Sequence, residues 1–347
     1  MGLRIGVIGV GVMGSSHCRT IARNVSAATL TAMSDVDGAR AGALAEELGG
    51  ARVHDDPYEL VRDPEVDAVV VASSDETHMD FVLACLRAEK HVLCEKPLAP
   101  TAAASLAVVE AESALGRRLV QVAFMRRYDR GYVAVKERLD AGAIGRPLLV
   151  HCAHRNAGVP DSYTTEMLFT SSATHEVDVT RWFLGREIVA ATVMSPRSTR
   201  LGRDDLRDPQ LVVLETDDGV LVDVEVFANA QYGYDIRCEV VGETGTLTLS
   251  PPVDVFVRAE GHDGRRINPD FRGRFLPAYR DQLQAWVDAV VAGGPPPGAN
   301  AWDGYAAATV IDACVASLHA GRRKEVALAA RPELYAPTDE RTVATAP

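Results

Sequence analysis

Lys96 is conspicuous by its type. The chain holds four lysines (Lys90, Lys96, Lys136, Lys324) beside 32 arginines. In a composition so biased, a cation of no special role is an arginine. Lysine can shed its proton when desolvated, and arginine effectively cannot. A lysine held in Glu95-Lys96-Pro97, directly after the apolar run His91-Val92-Leu93-Cys94, therefore points to proton chemistry. Alone, the tripeptide reads equally well as a surface turn. A second feature shifts that balance. Gly9-Val10-Gly11-Val12-Met13-Gly14 follows a β-branched run from Leu3 to Ile8 and precedes a helix from about Met13 to Arg23. This is a G-x-G-x-x-G loop in the strand–turn–helix setting that cradles a dinucleotide pyrophosphate. Gly9 serves the tight turn, Gly11 the close approach of backbone to phosphate, and Gly14 the packing of helix on strand. The helix N-terminus adds free N–H groups and the positive end of its dipole.

Asp35 closes a second strand, about Ala28 to Ser34. It lies about 20 positions past the glycines, where a carboxylate accepts bonds from the adenosine ribose hydroxyls. The same charge repels a 2′-phosphate, and Val36 stands where an NADP-binder often carries arginine. NAD is therefore expected rather than NADP. The competing reading of Asp35 is a cap on the helix from Ala39 to Leu48.

The elements that must position these residues fall into two rhythms. Up to about Gln121, strands and helices alternate. Val66 to Ala72 is almost continuously apolar, as a parallel strand buried on both faces should be. Ser73-Ser74-Asp75-Glu76-Thr77-His78 follows it, then a helix to about Ala88, the strand ending at Cys94, a helix from about Thr101 to Ser113 and a strand near Leu119 to Val122. This pattern predicts an α/β Rossmann domain with a doubly wound parallel sheet over residues 1–123. Ligands of such sheets bind beyond the carboxyl ends of the strands. The glycine loop, Asp35, Ser73-Ser74 and Glu95-Lys96-Pro97 all fall at such ends. Thr77, His78 and Glu95 join them as cofactor-side residues.

The second half predicts an α+β domain over 124–330. Helices are expected near Tyr132 to Ala141, His175 to Phe183, Ala278 to Val291 and Asp303 to Ala320. Alternating stretches at Ile188 to Met194, Leu211 to Thr216, Val220 to Asn229, Asp235 to Val241 and Thr246 to Leu249 are broken by turns such as Asp217-Asp218-Gly219. They predict a large, mostly antiparallel open sheet. Residues 331–347 read as an extended arm or frayed tail.

Composition sets the class. A length of 347 residues suggests two domains, and 47% hydrophobic residues suffice for two cores. A net charge of −12 argues against nucleic acid and against anionic membranes as partners. The six cysteines are scattered, with no C-x-x-C pair and no metal-ligand spacing, so reduced thiols, a cytoplasmic setting and no metal are expected. A core strand begins at residue 3, so no signal peptide is expected. No apolar run reaches the roughly 18 residues of a membrane span.

Together, the glycine loop, Asp35, Glu95-Lys96-Pro97 and the open sheet resemble the glucose–fructose oxidoreductase/inositol dehydrogenase/rhizopine catabolism (Gfo/Idh/MocA) family. The supporting stretches run along nearly the whole chain: Phe124-Met125-Arg126-Arg127-Tyr128-Asp129, His151-Cys152-Ala153-His154-Arg155-Asn156, Tyr163-Thr164-Thr165-Glu166-Met167, His175-Glu176-Val177-Asp178, Gln231-Tyr232-Gly233-Tyr234-Asp235-Ile236 and Ala301-Trp302-Asp303-Gly304-Tyr305. The resemblance implies oxidation of a polyol with NAD. It makes Lys96 the catalytic lysine that binds the reacting hydroxyl and shares its proton, aimed into the cleft by a Lys96–Pro97 bond that is often cis in relatives, and His175 the acid/base that passes the proton on. It puts Arg126, His154, Asn156, Ser171, Ser172, Asp178 and Tyr234 in the polyol pocket. Without the resemblance, His175 reads as a core or capped histidine, Asp178 as a solvent-facing helix residue, and Arg126 and Tyr234 as ordinary pairing and packing. The chemistry is coherent in its own right: removing hydride from a secondary alcohol needs a base for its O–H, which works best with a pKa near the operating pH.

One position departs from the pattern. Inositol dehydrogenases commonly carry an aspartate four residues before the catalytic histidine, and here that residue is Ser171. A serine is neutral and cannot act as a carboxylate base. Either the substrate is another inositol isomer, an aminocyclitol or a sugar, or the chain is a slow inositol dehydrogenase in which water and Lys96 carry the proton; Glu166 is a residue that could swing in to compensate. Two further readings share the scaffold: a relative that keeps NAD bound and cycles it, and a non-enzymatic nucleotide sensor, which retention of Lys96 and His175 opposes. The open sheet should expose an apolar face. In Val220 to Asn229 one alternating set is Val220, Val222, Val224 and Val226, and the other is Leu221, Asp223, Glu225 and Phe227. Large exposed apolar patches are rare on monomers, and the resemblance suggests a homotetramer through this sheet.

Overall fold

A computed structural model of the chain describes residues 2–250, 256–259 and 262–336. The first half runs β1 (Leu3–Ile8), α1 (Val12–Asn24), β2 (Ala28–Ser34), α2 (Gly38–Glu47), β3 (Arg52–Val53), α3 (Pro57–Arg62), β4 (Ala68–Val71), α4 (His78–Arg87), β5 (His91–Cys94), α5 (Ala102–Leu115) and β6 (Val120–Val122). Among the described residues these strands form a parallel sheet in the order β3-β2-β1-β4-β5-β6. The order reverses beside β1, which opens the crevice where such sheets take ligands. Every residue of β4 is fully buried, as its unbroken apolar run requires. The short β3 and α3 were not anticipated.

The second half runs α6 (Arg130–Asp140), β7 (Pro147–Arg155), α7 (Thr174–Leu184), β8 (Ile188–Met194), β9 (Gln210–Thr216), β10 (Leu221–Phe227), β11 (Asp235–Gly242), β12 (Thr246–Thr248), β13 (Phe256–Ala259), β14 (His262–Arg265), α8 (Phe271–Val291), α9 (Ala301–Ala320) and β15 (Lys324–Glu325). The large sheet is ordered β12-β11-β7-β10-β9-β8-β15. It is mostly antiparallel, with β7 and β10 parallel at its centre. β7 was not expected as a strand, yet it carries His154 and lies between β10 and β11.

The expected apolar outer face needs correction. Val222, Val224 and Val226 are 0–1% exposed and turn inward, beneath the segments that pack on this sheet around α7 and α9. Leu221, Asp223, Glu225 and Phe227 occupy the other face. There Asp223 pairs with His151, and Arg155 pairs with both Glu225 and Asp235. Leu149 and Leu221 interrupt these pairs and stay exposed. The outer face is therefore mixed, because the valines already have a partner within the subunit.

The frayed tail also needs correction, as far as Ala336. Tyr335 is buried, and its hydroxyl donates to Glu112 Oε2 at 2.5 Å, on α5. Arg331 pairs with Glu187 and lies over the Trp302 ring. The remainder of the expected tail, 337–347, lies outside the described residues.

α8 begins earlier than expected and returns to the first sheet. Its Leu283, Trp286 and Val287 are fully buried among Ile5, Val7, Cys18 and Ile21. Truncating a buried Trp typically costs about 3–5 kcal/mol. Trp286→Ala is therefore expected to lower the unfolding free energy by an amount in that range, to lower the denaturant midpoint in proportion, and to loosen the nucleotide-binding half as well. Urea unfolding followed by circular dichroism checks it.

Candidate active site

The glycine loop needs three small residues for three reasons. Gly9 has φ +85°, and a Cβ there would lie 2.5 Å from the Ser73 backbone. A Cβ on Gly14 would lie 1.8 Å from Gly9 O. A Cβ on Gly11 would meet nothing within 4 Å, so this glycine leaves space on the side from which a phosphate approaches. No side chain caps α1, and its first N–H groups remain available to an anion.

A cleft of about 530 Å³ runs along this loop past Asp35, Val36, Ser73, Ser74, Thr77, His78, Glu95 and Lys96. Asp35 does more than cap a helix; its neighbour Asp37 takes that role on α2. Asp35 accepts from Val10 N at 2.6 Å, Asp37 N at 2.8 Å and Arg40 Nη2 at 2.6 Å. Burial would raise its pKa, but these donors outweigh it and hold the carboxyl below the ordinary range. Arg40, which also lines the cleft, was missed by sequence reasoning. Its signal was a position in the first turn of the helix that follows Asp35.

The far end of the cleft is braced by hydrogen bonds. His78 Nδ1 lies 2.7 Å from Pro97 O and its Nε2 3.2 Å from Ser73 O. The Ser73 and Thr77 hydroxyls meet at 2.7 Å. Glu95 is bound by His17 Nε2 at 2.7 Å and by Lys96 N at 3.2 Å. The Lys96–Pro97 bond is cis.

Met13, Glu95 and Lys96 also border a second cavity, of about 210 Å³. His154, Asn156, Ser171, Ser172, His175 and Tyr234 line it. Met125, Val159, Tyr163, Phe271 and Tyr279 complete the wall; these apolar and aromatic residues gave no chemical signal in the sequence. Lys96 Nζ donates to the backbone O of Ser171 at 3.4 Å. Ser171 sits in a π-helical turn, Leu168–Ala173, that leads into α7, and such turns recur at functional sites. Ser172 Oγ lies 3.0 Å from the Tyr163 hydroxyl.

His175 is buried, and its Nδ1 has no hydrogen-bond partner. Burial, then the charges of Arg126 and Lys96, push its pKa well below the ordinary histidine value. It is therefore a neutral imidazole at physiological pH. Burial likewise raises the Tyr234 hydroxyl to about 12, so it acts as a neutral donor and acceptor.

Two expected pocket residues stand behind the wall instead. Arg126 is 1% exposed and donates to Glu176 through Nη1, with its Nη2 3.2 Å from His154 Nδ1. Asp178 is fully buried and accepts from Arg127 at 2.6 and 3.1 Å. Each is held by an opposite buried charge, which overrides any reach toward the cavity. Glu166 faces His319 at 3.4 Å and is absent from the cavity wall.

Three comparisons bear on this geometry. A family model described as an oxidoreductase family with an NAD-binding Rossmann fold matches residues 3–124, and its companion, a C-terminal alpha/beta domain, matches 136–328. The chain belongs to the Gfo/Idh/MocA oxidoreductase family. Relatives in this family include inositol 2-dehydrogenase 2 of Saccharopolyspora erythraea, 54% identical over 97% of this chain and 99% of that one. Inositol 2-dehydrogenase of Ralstonia nicotianae is 47% identical over 96% and 99%. Among solved structures, myo-inositol dehydrogenase of Lactobacillus casei in complex with NAD(H) and myo-inositol superposes with TM-score 0.94 at 36% identity, covering 96% of this chain and 100% of that one. Scyllo-inositol dehydrogenase of the same organism, with NAD(H) and scyllo-inositol, gives TM-score 0.85 at 25% identity over 94% and 99%. NAD is the cofactor of this Gfo/Idh/MocA chain, and the cradle at Gly11 and the charged Asp35 fit it.

The buried pairs make a stability prediction. Burial would raise the Glu176 pKa, but Arg126 and His154 outweigh it and hold it down to about 2. An unfolded glutamate titrates near ~4.3. A folded pKa depressed in this way adds stability above about pH 5 that is lost as pH falls toward 2. Removing one partner of a buried pair typically costs about 3–5 kcal/mol. Arg126→Met is therefore expected to lose that much stability at neutral pH and to show a weaker further loss on acidification. Denaturant titrations across the pH range test both.

Proposed function

We propose that the chain oxidises one secondary alcohol of a cyclitol to the ketone, as a myo-inositol 2-dehydrogenase does. One juxtaposition supports this above all: Lys96 borders both the nucleotide cleft and the cavity that holds His175. NAD, bound along the glycine loop, supplies the hydride acceptor. Lys96 holds the reacting hydroxyl and shares its proton. His175, neutral in its buried setting, accepts that proton and passes it on. Asn156, Ser172 and Tyr234 offer hydrogen bonds to the other ring hydroxyls, while Arg126 and Asp178 act at one remove by fixing His154 and α7.

Ser171 favours a second reading of the substrate. It brings a neutral side chain to the cavity where inositol dehydrogenases commonly carry a carboxylate. A different inositol isomer, an aminocyclitol or a sugar would then fit better than myo-inositol. The enzyme acts as a cytoplasmic homotetramer in this reading, with the mixed outer face of the large sheet as the contact; the exposed Leu149 and Leu221 support it. Among the described residues, no helix is long and apolar enough to cross a membrane.

Purified protein with NAD and myo-inositol is expected to form NADH, with NADP far less effective. Lys96→Ala should lower kcat at least ~100-fold, the lower range for removing a proton-transfer group. Ser171→Asp should raise myo-inositol turnover. Activity on another cyclitol alone would mark Ser171 as a specificity residue. No NADH from any cyclitol, aminocyclitol or sugar would overturn the dehydrogenase reading.

A further inference from the structure

The cavity presents a proton-balance problem. Of the residues that line it, Glu95 is the one carboxylate, and it is committed to His17 and to the Lys96 backbone. Ser171 supplies none. His175 Nδ1 has no hydrogen-bond partner among the described residues, so none of them holds a proton there. The hydroxyl proton needs another destination before the ketone can leave.

His154 offers one. Its ring lines the cavity, while its Nδ1 lies 3.1 Å from Glu176 Oε2 and 3.2 Å from Oε1. Glu176 is fully buried and held charged by Arg126. Arg126 Nη2 also lies 3.2 Å from His154 Nδ1. Two ring states are therefore conceivable: Nδ1–H donating to the carboxylate, or Nδ1 accepting from the guanidinium. Both carboxylate oxygens are in range, against one guanidinium nitrogen that belongs to a group already donating to Glu176. The first state follows, and it leaves the Nε2 lone pair free on the ring that faces the cavity. The two histidine rings are 6.3 Å apart between centroids, a gap that a ring hydroxyl or a water can span. Burial lowers the His154 pKa, the two Glu176 oxygens oppose that, and the Arg126 and Lys96 charges lower it further; the His175 ring and the edge-on Tyr234 ring, its centroid 5.7 Å away, complete the surroundings.

We propose that the His154–Glu176 pair is the proton acceptor of this enzyme, in place of a carboxylate at position 171. The inference rests on the dehydrogenase reading above. The O–H bond of the substrate breaks and its electron pair forms the carbonyl. The C–H hydride leaves to NAD. The proton passes from Lys96 and His175 to His154 Nε2, and Glu176 holds the resulting imidazolium through Nδ1–H. Glu176 is thus a positioning residue for His154, by the same logic that orients the histidine of a Ser-His-Asp triad.

Two experiments test the pair. In the first, His154→Ala is compared with wild type on the cyclitol that wild type oxidises. The expected result is a kcat lower by at least ~100-fold, a displaced acid limb in kcat against pH, concentration-dependent rescue by added imidazole, and unchanged NAD affinity. A rise in KM alone, with kcat and pH profile intact, would reduce His154 to a substrate-holding group and overturn the proposal. The second is independent of turnover: nitrogen-15 chemical shifts of His154 in wild-type protein, assigned by their loss in His154→Ala. A protonated Nδ1 with bare Nε2 is expected; a protonated Nε2 overturns the pair. If wild type oxidises no cyclitol, aminocyclitol or sugar, the dehydrogenase reading fails, and the tautomer measurement still decides whether the pair exists.

Discussion

A charge taken out of water must be matched, and on α7 this requirement organises the site. Glu176, Asp178 and Arg181 are all buried on one helix. Each is paired from elsewhere: Glu176 by Arg126 and His154, Asp178 by Arg127, Arg181 by Glu187 and Asp303. Buried pairs of this kind often add little net stability over an apolar substitute. What they supply here is register. A rotation of α7 would break several pairs at once, and that same helix carries His175. The helix is thus held at one angle by pairs on either flank of His175, so that this histidine can face the cavity.

The nucleotide half was legible because its physics is local. A parallel strand buried on both faces must be continuously apolar, as Ala68–Val71 is, and a phosphate loop must be glycine where backbone atoms crowd, as Gly9 and Gly14 are. Asp35 followed from spacing alone. The second half was only partly legible. β7 escaped because its Leu148 and Leu149 are both exposed, which breaks the alternation at its start, and its His151 and His154 read as chemistry instead of as strand. The start of α8 was masked by Gly273 and by Pro277 within it.

The site residues divide along the same line. Lys96 stood out because residue type speaks directly to proton transfer, whereas His175 drew notice only through the family resemblance; the fold sets both on one cavity. Arg126 and Asp178 were misplaced because type does not reveal a buried partner; pairing is a tertiary fact. Glu176 was overlooked although it adjoins His175 in sequence. Successive residues on a helix point about 100° apart, so its reach to His154 becomes visible only once β7 has a place. Ser171 shows the converse: its identity was noted, but only the fold reveals that its backbone carbonyl faces Lys96.

The return of α8 to the first sheet has a consequence for the order of synthesis. Ile5, Val7 and Cys18 share one core with Leu283, Trp286 and Val287, and β6 bridges to Ala299. A ribosome that has made the whole nucleotide-binding sheet has still not made the helix that seals it. The early chain must therefore wait, with apolar surface uncovered, until α8 has emerged. Contacts so distant in sequence slow folding and lengthen exposure to aggregation. For this chain, sequence order and folding order part company: the half that looks self-contained is closed by a helix made after most of the other half.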